Sequence, residues 1–293
     1  MITLATHNGI FHCDDVMSFA ILKLIFDDIK LIRTRDPKVL ETADILFDVG
    51  GGKFDHHYEG SPVRESGVPY SSAGLIWQAY GGQLIHKLYP ELESGFRAEI
   101  WNTVDQTVIE HIDAWDNGHG SKDGLSFSAA ISSYNGTWKN PTTDKQFWEA
   151  SAPCQTLLLN KIKSAKDYID ARKVVDASMD LWDKERDPVL ILKMFAPWQR
   201  TLHELDPEKR IKFVGWKDQD SGEYRIQSVP VTPGARENVV SFPQSWAGLE
   251  GAELAIASDV SDSTFCHKGR FIAGAKTLKG VRMLAHKALH VKG

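Results

Sequence analysis

Three short segments of the chain combine histidine and aspartate at spacings that can bind a metal ion. The first contains His7, His12 and Asp14 and directly follows an apolar run at residues 2–6. If this segment is extended, His12 and Asp14 point to the same side, because side chains alternate along an extended chain. Together with His7 they would offer one ion mixed nitrogen and oxygen ligation, which suits manganese, iron or zinc. The alternative is a helix N-terminus, where Asp14 and Asp15 favour the positive end of the helix dipole.

The second segment consists of Asp48, which ends a predicted strand, and the run Asp55, His56 and His57 seven residues later. Adjacent histidines on non-helical chain point in different directions, so one can bind a metal ion while the other faces a substrate. Asp55 can orient an imidazole by accepting its ring proton. Because such a polar run is poor core material, we predict a metal-binding or catalytic role for it.

The third segment places Asp113 and Asp116 at the end of a predicted helix. Carboxylates at that end oppose the helix dipole, and a bound cation would offset this cost. The alternative is ordinary solvation of a helix end, with Asn117 and Gly118 as the stop signal.

Together the three segments supply enough ligands for two divalent ions about 3.5–4 Å apart, whose usual chemistry is in-line displacement at phosphorus. The candidate ligands are His7, His12, Asp14, Asp48, His56, Asp113 and Asp116.

The elements around these segments indicate an α/β fold with a partly parallel sheet. Residues 2–6, 30–34 and 43–49 read as strands, and residues 16–29 read as a helix between the first two. In such sheets ligands bind beyond the carboxyl ends of the strands, which is where two of the three segments lie.

The remaining chain is predicted to be helical in its middle and α/β toward its end. We predict helices at 71–80, stopped by Gly81 and Gly82, at 96–112 and at 147–184, a long loop at 118–146, and strands at 189–195, 211–216 and 223–231. Asp187-Pro188 breaks the long helix. We therefore predict a metal-binding domain with a helical linker at residues 1–185 and a smaller α/β domain at residues 186–293.

Composition is that of a globular chain of 293 residues, with 42% hydrophobic and 25% charged residues. No apolar run approaches the roughly 18 residues of a membrane span, and the first residues lack the features of a signal peptide. Three scattered cysteines argue against a disulfide framework. We therefore expect a cytoplasmic protein with no membrane partner.

Charge is distributed unevenly along the chain. The net charge of −5 excludes a global basic surface for duplex nucleic acid. Residues 1–190 carry 19 Lys and Arg against 28 Asp and Glu, whereas residues 191–293 carry 15 against 11. An acidic half could hold cations and a basic half could hold an anionic substrate, although ordinary surface variation is an equal alternative.

The ordered series of motifs resembles the DHH phosphoesterase superfamily and, within it, the Myg-type (melanocyte-proliferating-gene) exonuclease family. Its core is Asp55-His56-His57 after the strand-terminal Asp48, preceded by the His/Asp cluster of the first segment. The matching stretches are residues 7–15, 54–57, 71–75, 112–118, 227–230, 246–249 and 266–274. The resemblance therefore covers nearly the whole chain.

The resemblance implies a phosphoesterase that uses two divalent ions, Mn²⁺ or alternatively Mg²⁺, to activate water. By position in the motifs, Asp48 would bridge the metals and His56 would be a ligand. His57 would contact the scissile phosphate or protonate the leaving oxygen. The motifs leave the choice between Asp113 and Asp116 open.

The resemblance also implies that the C-terminal half holds the substrate. His267 and Arg270 precede a glycine-spaced turn ending at Gly274, and an arginine can bind two phosphate oxygens at once. Arg236 is a second candidate, for which simple solvation is the favoured alternative. The tryptophans that could stack on bases, although a core or interface role suits them better, are Trp198, Trp216 and Trp246.

The function that the resemblance implies is 3′→5′ exonuclease action on single-stranded RNA or short oligonucleotides. Three alternatives remain open: a phosphatase or pyrophosphatase of a small metabolite, a non-catalytic nucleotide-binding metalloprotein, and a zinc hydrolase of amide bonds. A homodimer also remains open, because the sequence does not define the oligomeric state.

Overall fold

The computed structural model describes residues 1–120, 125–183 and 187–290 and divides the chain into two compact units. These are Met1–Lys166, the N-terminal unit, and Asp167–Gly293, the C-terminal unit. The boundary predicted between residues 185 and 186 lies outside the described residues and stays a prediction. No helix in the described part of the chain has the length and hydropathy that crossing a bilayer requires.

A three-stranded parallel sheet organises the N-terminal unit. Its strands are β1 (Ile2–Thr6), β2 (Ile29–Arg33) and β3 (Ile45–Leu46), in the order β2-β1-β3. The predicted parallel sheet is confirmed, but the third strand is much shorter than residues 43–49. Asp48 has a φ of +56°, and this left-handed conformation ends the extended chain.

Helices surround this sheet and carry most of the polar segments. They are α1 (Cys13–Ile25), α2 (Pro37–Leu40), α3 (Ser72–Leu88), α4 (Ser94–Val104), a π-helical turn (Asp105–Ile109), α5 (Glu110–Asp116), α6 (Phe127–Ser132) and α7 (Asp144–Met179). The segment predicted as one helix at 96–112 is therefore interrupted by a π turn and runs to Asp116. The segment predicted as a loop at 118–146 contains α6 and the start of α7, which continues into the C-terminal unit.

Helix α3 runs through the two glycines that were predicted to stop it. A Cβ at Gly81 would lie 2.6 Å from Trp77 Cδ2 and 2.9 Å from Trp101 Nε1. The glycine therefore makes room for two tryptophans, and the packing of the helix outweighs its low intrinsic helix propensity.

The C-terminal unit is built on a second, mostly antiparallel sheet. Its elements are β4 (Val189–Ile191), α8 (Gln199–Leu205), β5 (Phe213–Lys217), β6 (Tyr224–Ser228), a 3₁₀ turn (Gln244–Trp246), α9 (Gly251–Ser258), β7 (Ser263–Cys266), β8 (Ile272–Ala275) and α10 (Leu278–His290). The strand order is β4-β5-β6-β8-β7, and only β4 and β5 pair in parallel. The α/β class predicted for both regions is confirmed.

The tryptophans considered for base stacking belong to the core of this unit. Trp198, Trp216 and Trp246 are 2%, 6% and 2% exposed. Their rings pack inside apolar clusters around the sheet, so they offer no face to a nucleobase and the stacking interpretation is wrong for them.

Candidate metal centre

The first polar segment leaves β1 at its carboxyl end and enters α1. Residue His12 is the N-cap of the helix, and its backbone N–H donates to Asp15 Oδ1 at 3.0 Å. The helix-start interpretation is therefore confirmed, whereas the assumption that the chain is still extended at Asp14 is wrong. The first turn of α1 nevertheless buries Asp14 completely, and both its carboxylate oxygens lack a hydrogen-bond partner among the described residues.

Asp48 is the centre toward which three histidines converge. Its Oδ2 lies 3.1 Å from His7 Nε2, and its Oδ1 lies 3.2 Å from His56 Nε2 and 3.5 Å from His57 Nδ1. Nδ1 of His7 lies 3.1 Å from the carbonyl oxygen of Asn8, to which it can donate its proton. The proton at that position leaves the Nε2 lone pair of His7 free to bind a metal ion.

Three groups of side chains place potential ligand atoms within 4.8 Å of one another. The groups are Asp48, His56 and His57; His7, Asp15 and Asp48; and His12, Asp14 and Asp116. The first two groups share Asp48. His56 Nε2 links them to the third group, because it lies 3.7 Å from Asp14 Oδ2 and 3.3 Å from Asp116 Oδ2.

The structure thus gathers all but one of the residues predicted as ligands and adds a residue that sequence reasoning missed. Oδ2 of Asp15 lies 3.3 Å from His7 Nε2 and has no hydrogen-bond partner among the residues that the structure describes. In the sequence, the favourable effect of the helix dipole on an acid at a helix N-terminus was enough to explain Asp15. The only further signal was that Asp15 follows His7 by eight residues, and the turn from β1 into α1 brings these two side chains together.

Asp113 is the predicted ligand that the structure does not bring to these groups. Its carboxylate accepts hydrogen bonds from Arg64 Nη2 at 2.7 Å, from Ser71 Oγ at 2.6 Å and from the backbone N–H of Gly74 at 3.0 Å. Arg64 also pairs with Asp105 in the π turn. These contacts fix α5 against the start of α3, and three residues further along α5 Asp116 reaches the histidines.

Asp55 fixes the geometry of the turn that leads to the histidine pair. Its carboxylate accepts the backbone N–H of Gly51 at 2.7 Å and the backbone N–H of His57 at 3.1 Å. Its Oδ1 also lies 2.9 Å from His57 Nδ1, so the imidazole proton is held on that nitrogen. Burial, which would raise the pKa of Asp55, is outweighed by these hydrogen bonds, and the pKa is lowered. The predicted orienting role therefore agrees with the contacts that Asp55 makes.

The carboxylates in this cluster repel one another in the absence of a cation. Burial, together with the charges of Asp48 and Asp116, raises the pKa of Asp14 well above its usual value. Burial likewise raises the pKa of Asp15 to about 8, despite the nearby His7. Asp48 is the exception: the close contacts of His56 and His7 with its carboxylate outweigh its burial and lower its pKa to about 2.

The histidines of the cluster show the complementary effect. Burial would lower the pKa of His7 and of His56, but the contacts with Asp48 and the neighbouring acidic charges raise both. Buried carboxylate oxygens and imidazole nitrogens without partners are costly unless a further group binds them. This donor set suits a divalent cation, and the residues therefore fit the metal site that the sequence predicts.

The residues predicted to bind substrate lie in the C-terminal unit and make ordinary structural contacts there. Exposed His267 accepts the backbone N–H of Gly269 at its Nδ1, and Arg270, with a φ of +59°, donates from Nη1 to the carbonyl of Phe242 at 3.3 Å. Gly274 lies in β8 rather than at the end of a turn, so that expectation is wrong. Arg236 is exposed.

Gly274 is required by the packing of its neighbours in the sheet. A Cβ there would lie 2.6 Å from Phe265 Cε1 and 2.8 Å from Arg225 Nη1. The absent side chain therefore lets Arg225 lie across β8 and over the ring of Phe265.

Comparison with known proteins identifies the family of the chain. The MYG1_exonuc family model, described as Uncharacterised protein family (UPF0160), matches residues 3–289. The chain belongs to this family. A MYG1 exonuclease of Homo sapiens is 30% identical over 321 residues, which cover 98% of this chain and 85% of the human protein. A MYG1 protein of Saccharomyces cerevisiae is 31% identical over 324 residues, covering 98% and 95% of the two chains.

The MYG1 family membership confirms the predicted resemblance to Myg-type proteins and the predicted enzyme class, a hydrolase of phosphoric esters. Another relative, a MYG1 protein of Dictyostelium discoideum, is 29% identical over 99% of this chain and 97% of its own length. A crystal structure of exonuclease RecJ bound to manganese aligns with 98% of this chain and 90% of its own at 12% identity. Its TM-score of 0.27 is too low to support an argument from shared structure.

Proposed function

We propose that the chain is a 3′→5′ exonuclease that acts on single-stranded RNA or short oligonucleotides with two divalent ions, Mn²⁺ in preference to Mg²⁺. The observation that carries this proposal is the set of three ligand groups, two of which share Asp48, together with buried carboxylate oxygens that have no hydrogen-bond partner in the described part of the chain. A shared carboxylate is the arrangement that holds two cations close together. When bound, such a pair lowers the pKa of a water and neutralises charge on a phosphoryl group.

The protein side chains divide the remaining tasks. Asp48 would be shared by the two ions. His7 and Asp15 would hold one of them, and His12, His56, Asp14 and Asp116 would hold the other. This assigns the metal-binding role to Asp116 and a positioning role to Asp113, since the carboxylate of Asp113 is already occupied by Arg64.

His57 is the group placed to move a proton. Its side chain is 60% exposed although its ring lies 4.2 Å from that of buried His56. Asp55 holds Nδ1, which leaves Nε2 to face the substrate. In the imidazolium form, Nε2 donates its proton to the departing oxygen and Asp55 stabilises the positive charge, a task for which a positioned histidine is well suited.

The choice of a single-stranded nucleic acid rests on the family and on charge. Mammalian relatives are named exonucleases, and a net charge of −5 opposes binding to long duplexes. The proposal places the activity in the cytoplasm, where the three free cysteines of the chain stay reduced.

The proposal is tested by hydrolysis of a 5′-labelled single-stranded RNA oligomer with Mn²⁺. We expect a ladder that shortens from the 3′ end and that disappears with EDTA and in the variant His56→Ala/His57→Ala. Absence of cleavage of RNA and DNA by protein with bound Mn²⁺ would contradict the exonuclease proposal. A screen of small phosphate esters and pyrophosphate then distinguishes a metabolite phosphatase from a protein that only binds nucleotides.

A further inference from the structure

An asparagine side chain joins the first polar segment to a loop that sequence reasoning left unassigned. Asn135 Oδ1 accepts the backbone N–H of Phe11 at 3.0 Å, and Asn135 Nδ2 donates to the carbonyl of Phe11 at 2.8 Å. Phe11 immediately precedes His12, which belongs to one of the three ligand groups. The loop at residues 135–142 is therefore tied to the rim of the metal centre by both polar groups of one backbone residue.

The loop is tightly closed and presents a tryptophan at its tip. The backbones of Thr137 and Asn140 exchange hydrogen bonds of 2.7 and 3.0 Å. A Cβ at Gly136 would lie 2.1 Å from the carbonyl oxygen of Asn140, so the turn requires glycine. The side chain of Trp138 within this turn is 88% exposed.

This exposure distinguishes Trp138 from the tryptophans that the sequence suggested for base stacking, which are buried in the C-terminal unit. Two more exposed apolar side chains lie on the segments that Asn135 joins: Ile10 is 65% exposed and Tyr134 is 38% exposed. Lys139 Nζ lies 5.1 Å from the ring centroid of Trp138. An exposed aromatic face with an adjacent ammonium group is the surface that a stacked base and its phosphate require.

The length of the loop keeps this surface close to the metal centre. Trp138 is the third residue after Asn135, which limits their Cα atoms to at most about 11 Å apart. Asn135 itself is hydrogen-bonded to the neighbour of His12, whose side chain is 58% exposed beside Asp116.

We propose that Trp138 stacks on a base of the single-stranded substrate while a phosphate of the same strand lies at the metal centre, with Lys139 beside the backbone. This inference rests on the proposed function, since it names the residue that recognises the nucleic-acid part of the substrate. Stacking tolerates every base because each has a π-face, so the residue would confer affinity for single strands without sequence preference.

The test compares Trp138→Ala and Trp138→Phe with Leu125→Ala, a matched control because Leu125 is 91% exposed in the same unit. Binding of a 5′-labelled single-stranded RNA is measured by fluorescence anisotropy in EDTA. Trp138→Ala should raise Kd about 5- to 150-fold, since this is the usual effect of losing one stacked base. Trp138→Phe should recover most of the affinity, and Leu125→Ala should match the wild type.

A series of RNAs with one abasic position each gives a readout that a structural role would not move. The wild type should lose affinity when one particular base is absent, whereas Trp138→Ala should bind that RNA and the intact RNA equally. Titration with Mn²⁺ should give the same Kd for Trp138→Ala and the wild type, which shows that the metal centre is intact.

The outcomes separate this inference from the proposed function. If the wild type binds and cleaves RNA and Trp138→Ala does so equally well, the stacking inference is wrong and the exonuclease proposal stands. If Trp138→Ala also loses affinity for Mn²⁺, Trp138 supports the fold and the inference is wrong. If the wild type neither binds nor cleaves RNA, the proposed function itself fails.

Discussion

The two units of the molecule surround their acidic side chains with different partners. In the N-terminal unit Asp14, Asp15 and Asp48 converge with histidines and keep oxygens that have no hydrogen-bond partner among the described residues. In the C-terminal unit the acids lie beside basic side chains: buried Asp206 beside Arg210 at 3.5 Å, partly buried Asp187 beside Arg282, and exposed Asp259 beside Lys287 at 2.7 Å. A buried polar atom without a partner is costly unless a ligand binds it, whereas a paired polar atom needs no ligand. The contrast supports the proposal that the metal ions bind in the N-terminal unit.

The same contrast exists within the N-terminal unit. Asp113 and Asp116 lie three residues apart on α5, yet the first pairs with Arg64 and the second lies among histidines. A carboxylate with its own cation holds the fold, and a carboxylate without one is available for a metal ion.

The largest effect is expected for Asp48→Asn. Loss of the shared carboxylate removes a ligand from two groups at once, and metal ions supply several kcal/mol of transition-state stabilisation. We expect kcat/KM for single-stranded RNA with Mn²⁺ to fall about 10³-fold or more. The control is Asp259→Asn, which removes a paired, exposed acid and should leave kcat/KM unchanged. Equal activities of Asp48→Asn and Asp259→Asn would contradict a catalytic role for the acids that lie among histidines.

Asp113→Asn should lower the stability of the protein, whereas Asp116→Asn should lower its affinity for Mn²⁺. Asp113→Asn leaves Arg64 without one of its buried partners and should lower the free energy of unfolding by about 3–5 kcal/mol. Asp116→Asn removes a carboxylate from a repulsive group and should not destabilise the metal-free protein, but it should weaken Mn²⁺ binding. Chemical denaturation and titration with Mn²⁺ measure the two effects. The reverse pattern would identify Asp113 as the ligand.

The free energy of unfolding of the metal-free protein should depend on pH because the acidic cluster binds protons in the folded state. The raised pKa values of Asp14 and Asp15 mean that the folded state binds protons more tightly than the unfolded state. Stability should therefore fall as pH rises from about 4 through about 8, by up to about 1.4 kcal/mol per pH unit for each such group. The lowered pKa of Asp48 affects stability only between about pH 4 and about pH 2, which lies below this window.

Denaturation series at several pH values in EDTA measure this slope, and Mn²⁺ should abolish it by binding the ionised carboxylates. Asp15→Asn should remove its own share of the slope. A metal-free protein whose stability rises across this window would contradict the account of the cluster.

The smallest effects are expected in the C-terminal unit. If Arg270 binds a substrate phosphate, Arg270→Ala should raise KM about tenfold with kcat unchanged, because a hydrogen bond between charged groups contributes about 1.5 kcal/mol. Arg236→Ala should change KM less than twofold, as expected for a solvated arginine. Equal KM values for Arg270→Ala and the wild type would leave the predicted role of this residue without support.

Much of the N-terminal unit can be predicted from short stretches of the sequence, because each strand and the polar segment after it are neighbours along the chain. The apolar runs of β1 and β2 and the polar segments that follow the strands are visible in the sequence, and parallel pairing then brings those segments together. The contrast between Asp113 and Asp116 was not predictable. It depends on Arg64, which lies 49 residues before Asp113 and reaches it only through the fold.

The sequence-based predictions are also wrong or incomplete where tertiary contacts outweigh local preference. Gly81 signals a helix end but lies inside α3 because two tryptophans need the space. Asp15 has a sufficient local explanation as a helix-capping residue, which hides its second contact with His7. In the C-terminal unit, Gly274 occurs in a motif but lies in a strand, where it makes room for Arg225.

The most direct test of the central claim is the number of Mn²⁺ ions that one chain binds, measured by equilibrium dialysis with electron paramagnetic resonance of the bound ions. We predict two ions with the exchange coupling of a bridged pair in the wild type, and loss of that coupling in Asp48→Asn. A wild-type protein that binds no Mn²⁺ would contradict the assignment of the cluster as a metal centre. A single uncoupled ion would contradict the bridging role of Asp48.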